Sequence, residues 1–161
     1  MAASLLELAT RFGFRTDQGR IDAKTWRQGT LFLAVPLAIF TAIWFLLSPF
    51  AHAELGSSPL LGWETFAAYV YLLFYGFTVL LIAISHYNLS AKRWRERGWR
   101  FPGAMAGLLP LLALLSGAAH LVQPRVADVM SYWYVVLIDA GLGAIIFWNA
   151  IELGWLDHRA R

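Results

Sequence analysis

Four apolar runs, each about as long as a bilayer's hydrocarbon core is thick, constrain this chain more than any other feature. Residues 30–51 and 66–85 contain no charged side chain. Residues 103–122 contain one ionisable group, His120, and residues from about 129 to 151 contain one carboxylate, Asp139. A helix needs ~20 apolar residues to cross the hydrocarbon layer. Lipid offers no partners to backbone N–H and C=O groups, so an isolated apolar run of this length crosses as a helix. Strands of a transmembrane barrel would alternate in polarity, and these runs do not. Of the 161 residues, 59% are apolar and 14% charged, whereas soluble domains are nearer ~45–50% and ~25%. The sequence thus predicts an all-α polytopic membrane protein. Residues 1–29 are expected to form an N-terminal cytoplasmic and interfacial segment, and residues 30–161 a four-helix transmembrane domain.

Orientation follows from the basic residues. Residues 1–29 carry five (Arg11, Arg15, Arg20, Lys24 and Arg27), and the first loop carries none. The second loop again carries five (Lys92, Arg93, Arg95, Arg97 and Arg100), the third only Arg125, and the tail Arg159 and Arg161. Positively charged loops stay in the cytoplasm, so both termini are expected there. The tryptophans match this arrangement: Trp26, Trp94, Trp99, Trp148 and Trp155 fall near one set of span ends, and Trp44, Trp63 and Trp133 near the other. Charges scattered through residues 1–29 do not follow the layout of a secretory signal, so the first run is read as a retained span. Residues 4–14 (SLLELATRFGF) have the apolar content of a short interfacial helix.

Two basic segments carry a resemblance. Gly19-Arg20-Ile21, followed by Lys24 and Trp26, precedes the first span, and Arg93-Trp94-Arg95-Glu96-Arg97-Gly98 precedes the third. Together with the ending Glu152-Leu153-Gly154-Trp155, these resemble the small bacterial inner-membrane family known as domain of unknown function 805. The resemblance runs from about Phe14 to Trp155. It implies a multi-pass protein of the bacterial inner membrane and no particular activity. Arg95 stands where the family usually has His, and Glu96 where it has Asp, so no role of such a pair is carried over.

Asp139 is the sharpest chemical feature. Counted from residue 129 it falls near mid-bilayer, where a carboxylate is costly and marks a proton relay, a cation site or a partner contact. The bland alternative is an Asp hydrogen-bonded within the bundle, and Thr41, Tyr75 and Thr78 lie at suitable depths for that. No basic mate stands out. The histidines do not form a haem pair, because His86 and His120 belong to opposite membrane faces. No carboxylates or histidines recur at metal-ligand spacing, and with no cysteine in the chain thiolate chemistry is excluded. No cofactor is expected.

The segment 92–100 (KRWRERGWR) interleaves Lys92, Arg93, Arg95, Arg97 and Arg100 with Trp94 and Trp99. Between two spans this reads as contact with phospholipid headgroups or a partner rather than with nucleic acid. Gly103 and Gly107 form a GxxxG, and Ala140, Gly141 and Ala144 a similar small-residue seam, both suited to close helix packing. No nucleophile, paired carboxylates or phosphate loop is recognisable. The expected role is that of a non-catalytic accessory or assembly subunit among other membrane subunits, or of a homo-oligomer. The alternative is a small transporter or proton/ion pathway through Asp139. A lipid-headgroup enzyme using Arg93, Arg95 and Arg97 has the least support.

Overall fold

In the computed structural model, Phe14 and residues 16–51 and 62–156 are described. They form four long helices: α1 (Ala23–Ala51), α2 (Trp63–Glu96), α3 (Pro102–Val122) and α4 (Tyr132–Asn149), the last continuing as a π-helical turn over Ala150–Trp155. All four are long and apolar enough to cross a membrane, and no strand occurs among the described residues. The expected interfacial helix over residues 4–14 lies outside the described residues except for Phe14, as do His52 and His158.

The helices extend beyond the apolar runs, and local chemistry sets their ends. Helix α1 begins at Ala23 rather than residue 30 because Asp22 caps it: the Thr25 N–H donates to Asp22 Oδ1 at 2.9 Å, and the Trp26 N–H to the Asp22 carbonyl at 3.0 Å. Hydrogen bonds from the Thr25 side chain and backbone hold the Asp22 carboxyl below the usual carboxylate range. Because the folded-state pKa is depressed, the cap's contribution is present above the unfolded value of ~3.9 and is lost as pH falls through the folded one. Asp22→Ala is expected to cost about 1 kcal/mol at neutral pH, and the gap to the wild type should close in acid. Thermal unfolding in nanodiscs at two pH values checks this.

Helix α2 has 34 residues, about 50 Å at ~1.5 Å per residue, well beyond the ~30 Å hydrocarbon layer. The segment 92–96 is therefore the last part of α2, not a loop. A Schellman motif ends it, with the Trp99 N–H bonded to the Trp94 carbonyl at 3.2 Å and the Gly98 N–H to the Arg95 carbonyl at 3.1 Å. Gly98 occupies the left-handed region at φ +75°, where a side chain would be strained. Pro102 then opens α3, where its missing N–H costs nothing. Ser131 caps α4 by accepting from the Trp133 N–H at 3.4 Å.

The chain divides into two compact units, one of residues up to Thr30 together with those from Ile84 onward, the other Leu31–Ala83. This differs from the single domain over 30–161 expected from the apolar runs. In the first unit the start of α1, the end of α2, the start of α3 and the end of α4 share a core of Trp26, Leu89, Ala91, Trp94, Ala106 and Leu153. In this core Gly29 lies against Leu89, and an added Cβ would sit 2.8 Å from its side chain. In the second unit α1 and α2 are joined by polar contacts within the apolar stretch. Tyr71 donates to the Phe40 carbonyl at 2.7 Å, and Thr41 and Tyr75 share a hydrogen bond of 2.9 Å. Large apolar side chains point outward, with Phe45, Leu46, Leu73 and Phe77 between 70% and 77% exposed. An exposed apolar surface of this kind requires lipid or protein cover.

Candidate functional site

Two polar clusters lie in the first unit, at opposite ends of the α3–α4 hairpin. The first surrounds the end of α4. The π turn lengthens the hydrogen-bond register, with the Leu156 N–H bonded to the Ile151 carbonyl at 3.1 Å, and leaves carbonyls facing outward. Three arginines take them. Arg93 donates from Nε to the Leu153 carbonyl at 3.0 Å and from Nη2 to Leu156 at 3.1 Å. Arg27 donates to Gly154 at 2.9 Å, and Arg97 to Leu156 at 2.5 Å. Arg97 also forms an ion pair of 2.6 Å with Glu152, and both side chains are largely buried. Cations at a helix C-terminus satisfy both its unpaired carbonyls and its dipole.

This arrangement corrects the lipid-facing reading of the basic segment. Lys92 and Arg93 are buried, and Trp94 is fully so. Arg95 turns to the N-terminal segment, where it bonds the Asp17 carbonyl, the Gly19 carbonyl at 3.2 Å and the Asp17 carboxylate at 3.4 Å. Only Arg100 and Trp99 face outward, and the Arg100 guanidinium lies over the Phe101 ring at 5.2 Å. The other arginines are held inside because unpaired carbonyls at a helix end attract them more strongly than water does. His86 is buried too; it faces Trp26 edge-on at 6.2 Å. Ser90 accepts from Trp26 Nε1 at 3.1 Å. This cluster holds helices together.

The second cluster contains Asp139. Ser116 donates to Asp139 Oδ1 at 2.6 Å, and His120 Nε2 lies 2.9 Å from Asp139 Oδ2. Asp139 therefore has a titratable mate, His120, where sequence reasoning found none. Its hydrogen bonds come from α3 rather than from Thr41, Tyr75 or Thr78. Thr78 donates to the Phe74 carbonyl of its own helix. Helix α4 starts at Tyr132, so Asp139 is seven residues in, about 10 Å from that end at ~1.5 Å per residue, and shallower than mid-bilayer. Ser116 and His120, at i and i+4 on α3, share one face, which sets both opposite the carboxylate. The serine bonds the carboxylate and not the imidazole, so the three do not form a nucleophile–base relay. They can hold and exchange a proton, or present a donor and an acceptor to a neighbour.

A pairing between Ser116 and Asp139 was readable in principle. Ser116 is six residues before the end of α3 and Asp139 seven after the start of α4, so an antiparallel hairpin brings them level. The histidine at the rim was instead assigned to the interface.

The small-residue seams differ from each other. Gly103 and Gly107 receive the Tyr87 ring; an added Cβ on Gly103 would meet its hydroxyl at 2.9 Å. Ala140 and Ala144 are exposed, and Gly141 and Gly143 have nothing within 4 Å of an added Cβ. A concavity of about 510 Å³ in the second unit, lined by Leu47, Trp63, Phe66, Val70 and Phe74 among others, suits an acyl chain. No group of three metal-ligating side chains occurs among the described residues. No family model, curated protein or solved structure matches the chain.

Proposed function

We infer that this is a non-catalytic accessory or assembly subunit of the bacterial inner membrane, a member of the domain of unknown function 805 family, with both termini in the cytoplasm and lipid and membrane proteins as its neighbours. The observation that carries the reading is the Ser116–His120–Asp139 cluster. Its His120 and Asp139 side chains are 53% and 40% exposed on helices whose surroundings are hydrocarbon. A half-exposed polar pair at that depth is costly against lipid and favourable against a protein helix that supplies partners. The basic segments lie together at the opposite end, as the positive-inside rule requires of a cytoplasmic face. Purification in native nanodiscs with mass spectrometry of companions tests the reading. Stoichiometric recovery with membrane proteins, or as an oligomer, is the expected result, and recovery as a lone monomer would count against it.

The same cluster supports a second reading, a proton or ion pathway through Asp139, because an imidazole beside a carboxylate can pass a proton. On that reading Asp139→Asn lowers proton flux into proteoliposomes at least about tenfold, the low end of what removing a proton-transfer group costs. On the subunit reading flux is unaffected and association weakens instead.

A further inference from the structure

We propose that the face bearing Ser116, His120 and Asp139 docks on the same face of a second copy of this chain, with each His120 reaching the Asp139 of the other copy. The proposal rests on the subunit reading above and names its partner.

Three observations lead to it. The face is its own complement. His120 and Asp139 stand 2.9 Å apart, so a two-fold axis beside them sets the imidazole of each copy against the carboxylate of the other, the self-matching that a symmetric dimer requires. Each group also has capacity left. Asp139 accepts Ser116 on one oxygen and His120 on the other, and each carboxylate oxygen has a further lone pair. The imidazole uses Nε2 within the chain, which leaves Nδ1 for the other copy. Finally, the backbone can come close there. Gly143, one turn beyond Asp139, and Gly117, three residues before His120, are exposed and have nothing within 4 Å of an added Cβ. Glycines flanking a polar pair let two helices approach to hydrogen-bonding distance in lipid. A cationic foreign helix would suit Asp139 but would face His120 as well. A second copy matches both groups.

The chain has no cysteine, so single-cysteine variants report cleanly in native membranes. Gly143→Cys is expected to form a disulfide-linked species of twice the chain mass. Leu137→Cys, exposed on α4 and two residues from Asp139, should not. Asp139→Asn or His120→Gln in the Gly143→Cys background should lower dimer yield roughly tenfold, the scale of one interhelical polar contact in lipid. Co-expression of the His120→Gln chain with the Asp139→Asn chain decides the mechanism. Neither chain keeps its internal pair, yet a two-fold heterodimer restores one His120–Asp139 contact between copies, so cross-linking between differently tagged chains should recover. Monomer only would overturn the proposal and weaken the subunit reading with it. Cross-linking of a photoreactive residue at position 143 to a different protein would overturn the proposal alone. Equal dimer yield at Leu137→Cys, or no recovery on co-expression of two chains that each remain folded by thermal unfolding, would also overturn it.

Discussion

Replacing Arg93 with Ala is expected to destabilise the first unit by on the order of 3–5 kcal/mol, because two charge-assisted hydrogen bonds of ~1.5–3 kcal/mol each are lost together. The guanidinium is 4% exposed and spans the carbonyls of Leu153 and Leu156. These carbonyls belong to a π turn that cannot bond them internally. Arg97 still reaches Leu156, but nothing named here replaces the bond to Leu153. Lys at position 93 should recover only part of the loss, since an ammonium acts from one point and cannot fork to two acceptors. Denaturant or thermal unfolding in nanodiscs, comparing Ala, Lys and wild type, gives the ordering. Against a total stability of ~5–15 kcal/mol the Ala variant should also accumulate poorly. Equal stability of all three would show that the arginine does not fasten α2 to the end of α4.

The arginine result bears on how much of the molecule could be read from its residues. The four spans were legible because each needs only a run of apolar side chains, a signal local to 20-odd residues. Helix ends were less legible. The apolar run 66–85 stops where lipid stops, while α2 continues to Glu96 because Lys92, Arg93 and Trp94 find protein to pack against. Charge alone does not reveal that. Arg93 reads the same in sequence whether it meets a phosphate headgroup or the Leu153 carbonyl, sixty residues along the chain. The tail offered one clue: Gly154 permits close approach by Trp26, with an added Cβ 3.3 Å from its ring, and a tight helix end with unpaired carbonyls attracts cations. At the other end, Asp139 was legible as an anomaly because a charge in an apolar run stands out. His120 and Ser116 were not legible as its partners, because pairing depends on the hairpin register, and that register shifts with the start of α4 at Tyr132.

Trp94 should be the most sensitive apolar position, with Trp94→Ala costing about 3–5 kcal/mol. Its ring is fully buried and meets Trp99 edge-on at 5.0 Å and Trp148 at 5.2 Å. Truncation removes contacts to elements on both sides of the Schellman turn and leaves a cavity that the backbone cannot close. Its indole N–H, however, has no hydrogen-bond partner among the described residues. A buried donor without a partner costs ~1–3 kcal/mol, so Trp94→Phe loses volume but also loses that penalty. The Phe variant should therefore lie within about 1.5 kcal/mol of wild type, the range of well-tolerated apolar exchanges. Thermal unfolding of the two variants in nanodiscs separates packing from polarity at this site. A Phe variant as unstable as the Ala variant would show that Trp94 Nε1 makes a bond that stabilises the fold, directing attention to Asn149, whose side-chain oxygen is buried without a partner of its own beside Trp148. In that case Asn149→Leu should be as damaging as Trp94→Phe, and combining the two should add little further loss.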